Sequence, residues 1–294
     1  MRLLCLLLLI LPLWADELTN KLMARVSEEA EAFQRLAPEV LAEETLHQRS
    51  MKPQGRFHPR VGAAPAKLEW QERTIVSEYG FTSFSDGGDN SSLHELRQVT
   101  AVDGKKIEDA KKAQQALAKA ITSTDDARKK QLLKQFEKYG LLGAVTDYGQ
   151  ALLLFTRQNL ERYEFTRKGS NSLNGQAVLV FRYQQIDGPE TVTVIEESKN
   201  NQVKHLPIEG DLWVRSDNFV PVRITMVATQ AEAADRAKEE AAIDYEMSPY
   251  GALLPVKTDH RETRWGKVDA ENQFSYANFK KFGASSDIKF ETAK

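Results

Sequence analysis

The sequence predicts an α+β protein: an antiparallel curved sheet, a half-barrel of about eight strands with a packed helix, preceded by a helical and β-hairpin region. Three observations carry this. From Tyr163 onward the chain alternates apolar and polar residues with a period of two, in YEFTR, AVLVFRYQQ, TVTVIEES, LWVRS, VPVRITMVA, AIDYEM, LLPVKTDHRETRW and VDAENQFSYANF. The links IDGPE, RSDNF, SPYG and WGK are short and rich in turn residues, which favours a meander of antiparallel neighbours over parallel crossovers. Just upstream, AVTDYGQALLLFTRQNLERY holds the unbroken apolar run Ala151–Phe155, too broad for a surface stripe and too short for a bilayer, and so expected as a helix against the sheet.

The elements follow in order. MRLLCLLLLILPLWA carries one Arg, an apolar run and a small residue, Ala15, before Asp16, the pattern of a cleaved secretory signal over residues 1–15. The run falls short of the roughly 20 residues of a membrane span. A periplasmic or otherwise extracytoplasmic protein is expected, with no stable membrane span after cleavage. The single cysteine, Cys5, lies inside this segment, so the mature chain has no disulfide, no thiol nucleophile and no thiolate metal ligand. Asn90-Ser91-Ser92 matches a glycosylation sequon, which matters only in a eukaryotic secretory route.

Residues 16–66 read as an amphipathic helix and a Pro-rich linker. Leu22, Val26, Ala30 and Phe33 recur about once per turn in ELTNKLMARVSEEAEAFQRLAPEVLAEETLHQR, a helix interrupted near Pro38. MKPQGRFHPRVGAAPA, from Met51, has three prolines and no apolar period. Residues 67–124 read as a hairpin plus helix: LEWQERTIVSEYGFTSF and LHELRQVTAVDGKKI, joined by SDGGDNSS, then a helix from about Glu108 to Ile121. Asp86, Asp89 and Asn90 offer oxygen atoms in that loop without the spacing of an EF-hand. The strand-turn-helix wording here resembles that of PDZ domains, with Tyr79-Gly80-Phe81 as the nearest glycine loop. Residues 125–294 read as the helix-covered half-barrel, opened by a helix with Asp125 as N-cap and Gly140 as its stop. TQAEAADRAKEEA, between Met226 and Ile243, is expected to project as a loop or short helix.

The stretch DLWVRSDNFVPVRITM, Asp211 to Met226, reads as a hairpin: Ser216-Asp217-Asn218 turns the chain, with Val220, Val222, Ile224 and Met226 on one face. It resembles the half-barrel of lipoprotein-carrier proteins and envelope-stress regulators, in which an apolar residue precedes an acidic turn and a Pro-Arg pair, matched by Trp213, Asp217, Pro221 and Arg223. The likeness covers about residues 125–294 and implies binding without catalysis.

The 40 basic and 42 acidic residues nearly cancel, so no nucleic-acid partner is expected. None of the five histidines, His47, His58, His94, His205 and His260, sits in HExxH, and no G-x-S-x-G, P-loop or dinucleotide fingerprint occurs. His94-Glu95 and His260 with Glu262 place imidazole near carboxylate without a nucleophile or third ligand. Trp70, Trp213 and Trp265 fit packing or strand edges. No catalytic residue, metal or cofactor is therefore assigned. The expected function is binding of an apolar ligand, a lipid or an acylated envelope protein, by Leu152, Phe155, Val180, Leu212, Val214, Val222 and Ile224. The competing expectations are an envelope interaction or regulatory module using exposed strand edges, and an exported hydrolase.

Overall fold

A computed structural model of the protein describes residues 11–51, 69–84, 93–141, 147–188, 192–196, 202–230 and 237–282, with backbone alone at 11–16, 192–196 and 202–205. Helix α1 (Leu11–Leu36) buries Leu22, Val26, Ala30 and Phe33 completely, so the one-per-turn spacing of these residues is its core stripe. Pro38 then stops it. Ala37–Glu39 form a 3-10 turn, and Val40 is already extended, with φ −124° and ψ 137°.

Strand β1 (Val40–Met51) follows, which corrects the helix expected to continue beyond Pro38. Its inward positions are Val40, Ala42, Glu44, Leu46, Gln48 and Ser50. Polar residues at half of them dilute the apolar alternation by which a strand is recognised. The linker from residue 52 and the loop bearing Asp86, Asp89 and Asn90 lie outside the described residues. Strands β2 (Trp70–Thr82), β3 (His94–Val102) and β4 (Lys105–Lys106) form the expected hairpin, and Asp103 and Gly104 take positive φ in the tight turn before β4. Helices α2 (Ala110–Ile121) and α3 (Asp126–Tyr139) start where side chains cap them: Asp109 accepts from the Lys111 and Lys112 amides, Asp125 from that of Ala127. Gly80 is packing, not a ligand loop: a Cβ there would stand 2.7 Å from the Ile121 side chain, so the glycine lets α2 close onto β2.

The helix expected through Ala151–Phe155 is instead two 3-10 turns, Ala151–Phe155 and Leu160–Arg162. Tertiary partners explain the difference. The Leu152 amide donates to the Tyr245 hydroxyl at 3.1 Å, that hydroxyl donates to the Gly149 carbonyl at 3.0 Å, and Ser27 Oγ donates to the Phe155 carbonyl at 2.9 Å. Backbone groups that an α-helix would pair internally are taken up by the sheet and by α1. The helix that covers the sheet is thus α1, which packs on the 3-10 turn and meets β2 through an edge-on Phe33–Phe81 contact at 5.2 Å.

Strands β5 (Tyr163–Leu173), β6 (Gln176–Gln185), β7 (Val192–Glu196), β8 (Gln202–Leu206), β9 (Glu209–Arg215), β10 (Pro221–Thr229), β11 (Ala237–Met247), β12 (Leu253–Arg264) and β13 (Lys267–Lys281) complete the chain. One antiparallel sheet runs β4-β3-β2-β1-β13-β12-β11-β10-β9-β6-β5, and β7 pairs with β8 apart from it. The sheet therefore has eleven strands among the described residues rather than about eight: the N-terminal hairpin and β1 join it through β13, while TVTVIEES, expected within it, supplies β7 of the separate pair. From β13 back to β9 the neighbours are consecutive, the meander that short turns require. Ala237–Ala241, expected within a projecting insertion, belong to β11; residues 231–236 lie outside the described residues.

Candidate ligand-binding concavity

Strand register decides which side chains share the inner face. Ile224 of β10 stands opposite Ile243 on one side and Leu212 on the other; Leu212 faces Phe181, and Val214 faces Leu179. These residues, with Leu152 and Phe155 from the 3-10 turn, belong to one buried cluster that includes the inward residues of α1. Five of the seven residues assigned from the sequence, Leu152, Phe155, Leu212, Val214 and Ile224, are thus brought together. The other two are not. Val180 is buried, but it stands opposite Trp213 on the outer face. Val222 is half-buried at an irregularity between Pro221 and Arg223 that breaks the alternation.

Phe155 is the centre of the apolar end. Its ring lies 5.1 Å from Tyr183, 5.8 Å from Phe165 and 5.9 Å from Tyr163, in tilted or edge-on contacts. It is fully buried, as is Leu152. The turn therefore rests on the sheet and fills this part of the concavity with the chain's own side chains.

The rest of the inner face sets buried polar groups among apolar ones, and the first of these polar groups was not assigned from the sequence. Arg97 of β3 is 2% exposed, and its Nε donates to both Glu44 oxygens at 2.7 and 2.9 Å, while one terminal nitrogen donates to Glu95 at 2.6 Å. Tyr79, Phe136 and Phe274 close around the guanidinium at 4.8–5.4 Å. Burial works against the Arg97 charge, but Glu44 and Glu95 outweigh it and hold the group protonated well above its ordinary range. Burial pushes the Glu44 carboxyl up, and Arg97 opposes the shift. Glu95 also accepts from the Tyr79 hydroxyl at 2.9 Å and from the amides of Gly149 and Asp147 at 2.6 and 3.0 Å. Asp147 replies by accepting from the Glu95 amide at 2.6 Å and bonding His94 at 3.1 Å. This reciprocal clasp fixes the segment that leads into the 3-10 turn. The signal for it is present in HELRQ, where Glu95 and Arg97 sit two apart and so share a strand face.

A second polar group lies on β11, β12 and β13. His260 bonds Glu239 at 2.6 Å and Asn272 at 2.9 Å, and Tyr148 stacks on its ring at 5.0 Å. The sequence placed His260 beside Glu262; the two do share a face, but the imidazole pairs with Glu239, its diagonal neighbour across β11, and Glu262 pairs with Arg264. Burial and Glu239 raise the Glu262 carboxyl, with Arg264 and His260 opposing. The His260 side chain is fully enclosed, so this group is a structural clasp between strands. In the 211–226 hairpin, Arg215 grips Asp217 at 2.9 and 3.1 Å and Arg223 grips Asp244 at 2.5 and 2.7 Å, which holds the turn and its neighbour from outside.

An α+β structure in which one open antiparallel sheet carries a helix and a clasped 3-10 turn over its inner face is the class these residues define. No protein-family model and no curated protein matches the chain. Among solved structures it is similar to a DUF1329 family protein from Desulfovibrio piger, at 9% identity and a TM-score of 0.36, covering 92% of this chain and 98% of that one. It is also similar to an outer membrane lipoprotein-sorting protein domain from Vibrio parahaemolyticus, at 11% identity and 0.35, covering 93% and 97%. A LolA superfamily protein from Nitrosomonas europaea matches at 11% identity and 0.34, covering 89% and 93%.

Proposed function

We propose that the chain is an exported, non-enzymatic envelope protein that binds an apolar ligand, a lipid or the acyl chain of a lipidated protein, between the sheet and the 3-10 turn. The supporting observation is that the inner face of β6, β9 and β10 is apolar and is covered by Leu152 and Phe155 of a short 3-10 turn rather than by a regular helix. Admission of a ligand requires that Leu152 and Phe155 be displaced. Exposing two such side chains costs about 3–6 kcal/mol. An acyl chain returns roughly 0.8 kcal/mol per buried CH₂, so about ten methylenes outweigh that cost. The chemistry needs no catalytic group, and the enclosed His260 has no surface from which to meet a substrate.

Uptake of a fluorescent fatty acid by the purified chain tests this reading. Val214→Phe enlarges a fully buried side chain of the same inner face and should abolish uptake at a cost of no more than about 1–3 kcal/mol of stability. Absence of uptake by the parent protein, with lipid-free native mass spectra of material purified from its envelope, would sink the proposal. A second reading has its own support: among the described residues β5 is an edge strand that pairs with β6 alone in the sheet, and its residues from Thr166 to Ser172 are mostly exposed. Such an edge can take an added strand from an envelope protein. Export itself is tested by intact mass, which should show a chain shortened near Ala15.

A further inference from the structure

The outer face of the sheet, opposite the concavity, carries a pocket of about 240 Å³ between the start of α2 and strands β1, β2 and β13. Glu43, Glu78, Asn278, Lys280 and Lys111 line it. Glu43 and Glu78 are direct partners in the β1–β2 register, both on the outward side. Like charges directly opposed across two strands repel and destabilise a sheet, so this pairing asks for a cation. Glu78 is only 9% exposed, and its carboxylate accepts no hydrogen bond and makes no ion pair within 4.0 Å with any described residue. Lys280 reaches the pocket because β13 bulges: Glu43 pairs with Ala277 but Leu41 with Lys280, and Asn278 between them takes φ 56°. Burial and Glu43 push the Glu78 carboxyl up, and Lys280 only partly offsets them.

We propose that this pocket binds a small zwitterion, its primary ammonium between Glu43 and Glu78 and its phosphate or carboxylate against Lys280. Two carboxylates alone would suit a metal ion, but the Lys280 ammonium on the same wall would repel one. The volume equals that of on the order of eight water molecules, which is ample for a phosphoethanolamine-sized group and far more than a bare ion fills. A ligand carrying both signs neutralises both walls at once, and its N–H donors can reach the Glu78 oxygens, which open to the pocket and have no hydrogen-bond partner among the described residues.

The probe is O-phosphoethanolamine, titrated into the full chain and followed by calorimetry and by backbone amide shifts. Saturable binding is expected, with shifts at Glu43, Glu78, Lys111 and Lys280. Glu78→Gln should weaken it by about tenfold or more while leaving the melting temperature equal or higher, because the substitution removes a like-charge pair. Lys280→Ala should weaken it several-fold, and phosphocholine, whose nitrogen has no N–H to donate, should bind far more weakly. Vesicles of phosphatidylethanolamine in phosphatidylcholine identify the source. Glu78-dependent co-sedimentation assigns the chemistry to a lipid headgroup, and binding of the soluble compound alone assigns it to a free solute. No saturation at millimolar concentration, binding unaffected by Glu78→Gln, or uptake of calcium alone in place of the zwitterion would each overturn the assignment.

Discussion

A guanidinium sealed among Tyr79, Phe136 and Phe274 is tolerable only because Glu44 and Glu95 share its enclosure. Arg97→Ala leaves two carboxylates buried without their counter-charge, and such removals cost about 3–5 kcal/mol. Urea denaturation should show a loss of that size; a change below about 1 kcal/mol would mean that the trio is hydrated rather than enclosed. His94 offers a different readout. Its hydrogen bond to Asp147, the larger cause, raises its pKa above the ordinary 6.5 despite the opposing burial. A raised folded value means stability fully present below pH 6.5 and lost as pH climbs through the folded pKa. His94→Ala should therefore lower the melting temperature more at pH 6 than at pH 8, and an equal loss at both would show the bond to be indifferent to charge. At this scale the sequence revealed which residues were unusual, since His94-Glu95 and His260 with Glu262 both stood out. It did not reveal their partners, because Asp147 lies 53 positions from His94 and Glu239 lies 21 from His260.

Elements were legible wherever apolar and polar residues alternate along much of a strand. All eight C-terminal segments read by alternation form strands, and the 211–226 hairpin turns where Ser216-Asp217-Asn218 requires. The face assignment there has a direct test. Ile224 is fully buried between Ile243 and Leu212, so Ile224→Asp should cost several kcal/mol. Arg223→Ala breaks a part-buried pair with Asp244 and should cost about 1–2 kcal/mol, less than Ile224→Asp. Equal melting of the two variants would invalidate the register. Two elements were misread, for opposite reasons. In β1 the inward Glu44, Gln48 and Ser50 hid a strand, since their burial is sustained by Arg97, by the Leu141 amide and by neighbouring strands, which no local pattern encodes. In Ala151–Phe155 the run looked helical because it is apolar throughout, yet contacts with Tyr245 and Ser27 selected a tighter turn. Local propensity yields wherever distant partners complete the backbone.

At the scale of the molecule, the decisive feature is that β1 lies between β2 and β13, ladder-bonded to both. The sequence suggested a division near residue 125, with a half-barrel beyond it. In the sheet, strands from both sides of that position are neighbours, and the helix covering the inner face comes from the first 36 residues. A fragment of residues 125–294 would retain the meander from β13 to β5 but lose α1, so Phe274, Tyr276 and the inner faces of β12 and β13 would meet water, and β13 would become an open edge. Each large side chain so uncovered forfeits about 1.5–3 kcal/mol, and a handful of them equals the 5–15 kcal/mol by which a domain of this kind is stable. The full chain should consequently melt in one cooperative transition, with coincident loss of far-UV and near-UV circular dichroism. The 125–294 fragment expressed alone should aggregate or show no near-UV signal, and adding residues 16–124 in trans should restore part of it. Independent, reversible melting of that fragment at the temperature of the intact protein would show that the meander holds itself together, and that the β1–β13 ladder and α1 add only a cover.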